Sequence, residues 1–272
     1  MRQGYGKFAL TIVATHGAAQ TRAVREAKTG LSIEQSSAGI NQAQESANAT
    51  GFIPIETRRE PGSSGYIQFG CGLCAPATWR NFDAGPAFWI ERNLPVLKPA
   101  LLKRGYPDYP SNIEYGNVIK GLPVAPASAT AAYCSHVLEH LALDEFRTTL
   151  RHVFTYLKPG GTFRFVLPDL EALVRAYASS TDAEAASTFM RESYLGVDSQ
   201  GKGVSRLLRM LFGRSAHLWM WDEKNMTREL AAAGFTAIRR AQMGDNPDPR
   251  FADVEDAGRW ENCLGMECRR PE

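Results

Sequence analysis

Three ionisable side chains stand close together in the segment His136-Val137-Leu138-Glu139-His140, directly after a run of small and apolar residues. An imidazole titrates near neutral pH, so His136 could line a ligand pocket in its neutral form or accept a proton from a substrate. The same H-x-x-E-H spacing also occurs in a class of zinc hydrolases. That interpretation needs both histidines on one helical face and a third ligand, whereas His136 directly follows a predicted strand. The sequence therefore argues against a metal site. Glu139 and His140 are instead expected to support the turn.

A pair of glycines and an acid form a second group of candidates. Gly70 and Gly72 enclose Cys71 at the end of a predicted strand, and without Cβ atoms they let the backbone approach a ligand. Asp83 ends the next predicted strand, where one carboxylate can accept hydrogen bonds from both hydroxyls of a ribose. The interval between Gly72 and Asp83 is far shorter than the roughly 20 residues of dinucleotide-binding folds, and the GxGxxG pattern is absent. These features argue against a nicotinamide-binding fold.

The elements that position the histidines are clear in the sequence. Residues 131–135 are small and apolar, as in a buried strand. Asp144 begins an amphipathic helical pattern, and its carboxylate is a good N-cap. The run Lys158-Pro159-Gly160-Gly161 is expected to end that helix, and residues 162–167 (TFRFVL) are β-branched and aromatic, as in a second strand. The pattern predicts a βαβ unit with parallel strands and a right-handed crossover.

Ligands of open parallel sheets bind beyond the carboxyl ends of the strands. In this unit those ends are marked by Ser135-His136 and by Pro168-Asp169, so any chemistry is expected there. Asp169 is also followed by a helical pattern, which makes capping of that helix its predicted role and contact with a substrate the alternative.

The motifs together resemble the class I S-adenosylmethionine-dependent methyltransferases, in particular a bacterial branch. The resemblance covers roughly residues 65–270 and implies an α/β fold, a Rossmann-like, doubly wound and mostly parallel seven-stranded sheet with an antiparallel edge strand. Each motif alone is weak, but their order along the chain is that of the family. The matching segments are Tyr66–Gly72 (YIQFGCG), Trp79–Asp83 (WRNFD), Cys134–Leu141 (CSHVLEHL), Leu157–Gly161 (LKPGG), Leu167–Glu171 (LPDLE) and His217–Asp222 (HLWMWD).

The resemblance implies S-adenosyl-L-methionine as the cofactor and a methyltransferase as the enzyme. The residues implied to bind the cofactor are Gly70, Cys71, Gly72, Asp83, Asn117, Val118, Ser135 and His136, and the catalytic candidates are His136 and Asp169. Asn117 stands where the family often has an acid that binds the adenine amino group, and Cys74 stands at the third glycine of the fuller family loop. These two departures leave open an inactive protein that binds the cofactor without turnover.

The family places substrate-covering insertions between the fifth strand and the last helix, which correspond to about residues 181–221. Two helical segments are predicted there, and the second, residues 204–212, is basic and apolar. A basic helix is typical of a solvated face, and the alternative is an anionic acceptor such as a sugar or a phosphate-bearing glycan precursor. The substrate-side candidates are Tyr194, Arg206, Arg209, His217 and Trp219. The acceptor itself is expected to be a small molecule or of the glycan type.

Length and composition set the remaining bounds. The chain has 272 residues, enough for one sizeable core, and a net charge of +2 that gives no reason to expect a nucleic-acid partner. Its five cysteines suggest no disulfide framework, and no apolar run approaches a membrane span, so a cytoplasmic location is expected. A faint similarity of residues 8–14 to a secretory signal is the alternative. Residues 1–64 are predicted to be an N-terminal extension, disordered or loosely helical, and residues 65–272 the methyltransferase domain.

Overall fold

The computed structural model of the protein describes residues 65–103, 107–198 and 216–272. They contain a seven-stranded sheet in the order β3-β2-β1-β4-β5-β7-β6. The predicted Rossmann-like α/β fold is therefore confirmed. The strands are β1 (Tyr66–Phe69), β2 (Arg80–Asp83), β3 (Ile113–Tyr115), β4 (Ala129–Ser135), β5 (Leu157–Pro168), β6 (Thr236–Ala241) and β7 (Cys263–Arg269). The predicted extension 1–64 and the predicted helix 204–212 lie outside the described residues.

The first five strands are parallel, so their carboxyl ends meet at one edge of the sheet. Strand β7 runs antiparallel to both of its neighbours, with Phe165 opposite Met266 in β5 and Ala241 opposite Gly265 in β6. The strand order reverses between β1 and β4. Open α/β sheets bind their ligands at such a switch point. No helix separates β1 from β2, as the short interval between Gly72 and Asp83 predicts.

Seven α-helices occur among the described residues. Their bounds are α1 (Pro86–Asn93), α2 (Lys98–Lys103), α3 (Leu143–Tyr156), α4 (Leu170–Ser179), α5 (Ala185–Glu192), α6 (Glu223–Ala232) and α7 (Ala257–Trp260). Short 3₁₀ segments cover Pro95–Leu97, Leu138–His140 and Pro249–Asp253. No helix in the described ranges is long and apolar enough to cross a membrane.

Helix α3 forms as the apolar spacing predicts, but both of its predicted ends are corrected. It begins at Leu143, and the carboxylate of Glu145 reaches back to accept a hydrogen bond from the amide of Ala142, so Asp144 lies in the first turn and is not the N-cap. The helix ends at Tyr156, because fully buried Leu157 already pairs with Ala129 as the first residue of β5. The run Lys158-Pro159-Gly160-Gly161, which the sequence predicts to end α3, therefore belongs to β5.

The main core lies between the sheet and the helices on one of its faces. Phe146, Leu150 and Val153 of α3 are at most 1 % exposed, and the ring of Phe146 lies 4.2 Å from that of fully buried Trp221. Burial of such side chains contributes about 1.5–3 kcal/mol each. A second cluster on the opposite face includes Trp79, which packs edge to face against Tyr66 and is thus a core residue.

Candidate functional site

The turn after β1 brings two of the predicted ligand-binding segments together. Gly70 has φ +63°, and a Cβ on it would lie 2.2 Å from Cγ2 of Val137, the residue that follows His136. The glycine at position 70 thus permits contact with the turn after β4. Gly72 has φ +56°, but a Cβ there would meet no atom within 4 Å. The backbone of Gly72 therefore borders open space at the carboxyl edge of the sheet.

Asp83 joins this turn from the end of β2. Its side chain is almost fully buried, with Oδ2 accepting a hydrogen bond from the amide of Gly72 at 2.8 Å and Oδ1 accepting one from Gly85 at 2.6 Å. Burial raises the pKa of the Asp83 carboxyl, and the backbone amides that bind it offset only part of this effect. Asp83 therefore fixes the glycine turn, a function that the sequence did not predict.

Cys71, between the two glycines, points away from water. It is 7 % exposed and packs with Phe88 and Ile113 in a small apolar cluster. Burial raises the pKa of its thiol far above the usual range, so the side chain behaves as a small apolar group. The backbone amide of Cys71 donates to the carbonyl oxygen of Phe82 at 3.2 Å, and its carbonyl oxygen accepts from the amide of Cys74 at 3.0 Å.

Ser135 and His136 end β4 beside the glycine turn. The hydroxyl of Ser135 is buried and has no hydrogen-bond partner among the described residues. His136 has φ +54°, which is uncommon for a residue with a side chain and is typical of functional sites. Its amide donates to the carbonyl of Val166 at 2.9 Å, which holds the turn against β5.

Both ring nitrogens of His136 face acceptors. Nδ1 lies 3.2 Å from Oε1 of Glu139, and Nε2 lies 2.9 Å from the carbonyl oxygen of Arg259. Burial alone would lower the pKa of His136, but its contacts with Cys263 and Glu139 outweigh burial and raise it to about 10. A doubly donating, positively charged ring has no free lone pair for a substrate proton. The contacts thus favour the pocket-lining role over the general-base role.

Glu139 is fully buried at the centre of the histidines. Burial would raise its pKa, but the neighbouring His136, and to a smaller extent His140, outweigh burial and hold the pKa below its usual range. Its backbone carbonyl also accepts from the amides of Leu218 and Trp219, at 2.8 and 3.2 Å. Glu139 therefore joins the turn after β4 to the segment before α6.

Asn117 and Val118 follow β3 at the same edge. Oδ1 of Asn117 accepts hydrogen bonds from the amides of Ile119 and Lys120 at 2.9 and 3.3 Å. The predicted contact of this oxygen with an adenine amino group would thus compete with the turn that it stabilises. Val118 is 7 % exposed, and its carbonyl oxygen lies 2.8 Å from Nδ1 of His152.

Asp169 has the contacts of a helix cap. Its Oδ1 accepts from the amides of Glu171 and Ala172 at 2.9 and 3.3 Å, which satisfies free donors of α4. Oδ2 accepts from Nη2 of Arg240 at 2.7 Å. The side chain is buried, and these contacts support capping over contact with a substrate.

Three of the five predicted substrate-side residues lie together next to Glu139. The ring centroid of His217 lies 5.0 Å from that of Tyr194, and 5.0 Å from that of His140. Tyr194 is 39 % exposed and Trp219 38 %, whereas His217 is buried. Arg206 and Arg209 lie outside the described residues.

Two residues near His136 come from a segment without any motif. Cys263 Sγ lies 3.9 Å from Nε2 of His136, and Arg259 contributes the carbonyl oxygen already described. The Nε atom of Arg259 is buried without a hydrogen-bond partner in the described part of the chain. Burial raises the pKa of the Cys74 thiol, and the nearby charge of Arg259 offsets part of this effect. Only the fold brings these residues to the site, so no sequence signal could have identified them.

S-adenosylmethionine has hydroxyls, a carboxylate and an amine. The structure offers these groups a buried serine hydroxyl, an arginine nitrogen and the open space at Gly72. Hydrogen-bond donors and acceptors without partners inside a fold are uncommon, and a polar ligand would supply those partners. The residues present therefore fit this cofactor.

Comparisons with known proteins give the family. No curated protein matches the sequence. The solved structures that resemble the chain include a SAM-dependent methyltransferase from Thermotoga maritima, with 13% identity over 75% of this chain and 81% of that chain and a TM-score of 0.41. The Haemonchus contortus phosphoethanolamine N-methyltransferase 2 has 11% identity over 76% and 48% of the two chains, with a TM-score of 0.40. A structure from Haloferax volcanii, a complex between the Trm112 activator and a methyltransferase, has 15% identity over 76% and 82%, with a TM-score of 0.39.

Structural similarity this weak supports no conclusion beyond what the chain's own topology already shows. The family match is the stronger finding, because it extends over residues 45–239, most of the sequence. It includes the glycine turn, Asp83 and the His136–His140 segment. The chain belongs to the methyltransferase-domain family.

Proposed function

We propose that this protein binds S-adenosylmethionine at the carboxyl edge of β1, β2 and β4 and transfers its methyl group to a small-molecule or glycan-type acceptor. The observation that carries the proposal is the open space bordered by Gly72, which adjoins the carboxylate of Asp83. A backbone without Cβ beside a buried acid is suited to a ribose and its attached chain. Membership of the methyltransferase-domain family supports the same activity.

Each cofactor group has a residue proposed to hold it. Asp83 accepts from the ribose hydroxyls while it keeps its bonds to the turn amides. Ser135 offers a buried hydroxyl without a partner among the described residues, and Val118 borders the adenine. Arg259, whose Nε has no partner in that part of the chain, binds the carboxylate of the methionine moiety.

The bound cofactor would supply an electrophilic methyl group on a sulfonium, so the protein's contribution is position and exclusion of water. Charged His136, held by Glu139 and by the Arg259 carbonyl, lines the pocket and serves as no base. Glu139 neutralises the positive charge of His136, so no net positive charge lies next to the cofactor's sulfonium. An acceptor that needs deprotonation would have to find its base elsewhere.

The acceptor is proposed to enter between the turn after β4 and the segment 216–221. Tyr194 and Trp219 present partly exposed aromatic rings there, and aromatic faces are common in the recognition of sugars and other ring-shaped ligands. The basic residues Arg206 and Arg209 of the sequence agree with an anionic group on the acceptor.

Calorimetry with S-adenosylhomocysteine tests the cofactor step. Asp83→Ala is expected to weaken binding by at least about 10-fold, because hydrogen bonds to a charged group contribute about 1.5–3 kcal/mol. Asp144→Ala, which removes an exposed carboxylate from the first turn of α3, is the control and should bind as the wild type does. No heat with the wild-type protein at millimolar ligand would refute the proposal.

Turnover is tested separately with methyl-labelled cofactor and cell extract, with the product identified by mass spectrometry. A labelled product supports a methyltransferase. Binding without any labelled product in a broad acceptor screen would favour the alternative of an inactive cofactor-binding protein. The engaged oxygen of Asn117 is the observation that motivates this alternative.

A further inference from the structure

Three potential ligand atoms converge beside the turn after β4. Nε2 of His140 and Nε2 of His217 each lie 4.0 Å from Oε1 of Glu139. One potential ligand atom from each of the three residues lies within 4.8 Å of the other two, and among the residues that the structure describes no other group of histidine, cysteine, aspartate or glutamate has this convergence. The two histidines come from different segments, His140 from the 3₁₀ segment and His217 from the segment before α6, and their ring centroids lie 5.0 Å apart.

The carboxylate at the centre lacks the partners that burial demands. Glu139 is fully buried, yet within the described ranges its Oε2 has no hydrogen-bond partner and its Oε1 has only the contact with the ring of His136. The nearest cation is the ring of His136, whose Nδ1 lies 3.2 Å from Oε1. Because a buried charge is costly unless it is well satisfied, the unused lone pairs of Glu139 indicate room for a further positive group.

The imidazoles present the matching donors. Nδ1 of His140 lies 3.2 Å from the carbonyl oxygen of Ala216, so that nitrogen carries a proton and Nε2 is the ring nitrogen that remains to bind a metal ion. Metal-binding histidines usually make such a bond from the nitrogen that does not bind the metal.

We propose that Glu139, His140 and His217 bind one divalent first-row transition-metal cation, in the manner of a two-histidine, one-carboxylate site. Imidazole and carboxylate together suit Zn²⁺, Co²⁺ or Fe²⁺ better than Mg²⁺ or Ca²⁺. At bond lengths of about 2.0–2.1 Å the ligand atoms of a tetrahedral site lie about 3.3 Å apart, so the side chains must close by about 1 Å. The ring of His140 is partly exposed and can make this movement.

This site differs from the zinc interpretation of the HVLEH sequence, which pairs His136 with His140. In the structure His136 directs Nε2 to the Arg259 carbonyl, and His217 takes the third position from a distant part of the chain. Three protein ligands leave at least one coordination position for water or for a substrate atom. The proposal goes beyond cofactor binding and does not depend on it.

Cobalt titration of the full-length, chelator-stripped protein tests the site, because bound Co²⁺ has a visible absorption that reports its ligands. We expect one Co²⁺ per chain, displaced by one Zn²⁺. His140→Ala and His217→Ala should each weaken Co²⁺ binding by at least about 10-fold, since loss of even an outer-shell partner costs 10–100-fold. His152→Ala is the matched control, because His152 contacts the Val118 carbonyl and lies outside the cluster, and it should bind Co²⁺ as the wild type does.

Thermal unfolding of each variant shows whether the fold is intact. If His217→Ala does not fold, the partly exposed His140 still gives a valid test. Failure of the wild type to take up Co²⁺ stoichiometrically, or equal uptake by the cluster variants and His152→Ala, would overturn the proposal. Calorimetry with S-adenosylhomocysteine on the stripped protein is read independently, so failure of the metal site is distinguished from failure of cofactor binding.

Discussion

The open space at Gly72 allows a sharp test of where the cofactor lies. Gly72 and Gly244 both have positive φ, +56° and +74°, and at each of them a Cβ would meet no atom within 4 Å. They differ in location, since Gly72 belongs to the turn bound by Asp83 whereas Gly244 lies in an exposed turn after β6. Alanine at either position therefore introduces the same backbone strain, but only at position 72 does the new methyl group enter the proposed cofactor site.

The expected magnitudes follow from these two contributions. The left-handed conformation costs a residue with a side chain about 1 kcal/mol, so Gly72→Ala and Gly244→Ala should lower the free energy of unfolding by similar amounts. An inserted methyl group in a filled site costs about 1–3 kcal/mol. Gly72→Ala should accordingly raise the Kd for S-adenosylhomocysteine by about 5- to 150-fold, and Gly244→Ala should leave it unchanged.

Calorimetric titration gives the affinities, and denaturant unfolding without ligand gives the stabilities. Equal affinity of Gly72→Ala and wild type, with both variants folded, would show that the ligand does not approach the turn. Equal weakening by both variants would show that strain, and not contact, explains the loss. Either result would refute the placement of the cofactor at Gly72.

Three further predictions concern the core, the site and the acid limit of stability. Phe146→Ala should destabilise the protein by about 3–5 kcal/mol in denaturant unfolding, because it opens a cavity against Trp221; a loss below about 1 kcal/mol would contradict this packing. Ser135→Ala should leave the free protein as stable as the wild type or up to about 1 kcal/mol more stable, since the hydroxyl has no partner among the described residues, but should weaken S-adenosylhomocysteine binding by about 3- to 10-fold. Burial would raise the pKa of the Asp245 carboxyl, but hydrogen bonds from Arg239 and other partners outweigh burial and hold this pKa below its unfolded value. The stabilisation by Asp245 is therefore present above about pH 4 and is lost as the pH falls. Asp245→Asn should cost about 1–2 kcal/mol at pH 7, and unfolding series should show this difference shrinking towards pH 2; a difference independent of pH would be evidence against the linkage.

Local patterns in the sequence predict individual strands well, whereas the seven-stranded sheet is implied only by the family resemblance. The β-branched run after Gly161 and the apolar face of α3 each need only a few neighbouring residues to be recognised, and the parallel crossover follows from them. Helix α1 was not predicted from the sequence; its Pro86 occupies the first turn, where the missing amide costs nothing. The end of α3 was misplaced because pairing of Leu157 with Ala129 is a tertiary contact.

The sequence predicts the motif residues of the site but not the residues that contact them. The sequence indicates Gly70, Gly72 and His136 through their positions at strand ends. It contains no signal that His136 lies against Arg259, or that His217 lies beside Glu139, because these contacts join segments far apart in the chain. Charge states follow from such contacts, so the change of His136 from a candidate base to a charged ring could emerge only from the fold.

The position of β7 between β5 and β6 has a consequence for synthesis on the ribosome. Both β5 and β6 have one long side that only β7 can cover, and β7 emerges after both of them. Until then the growing chain carries an uncovered strand edge, a feature that promotes association between chains. Completion of the sheet therefore waits for β7, and chaperone binding during translation should be stronger in the interval between β5 and β7 than after β7 has emerged.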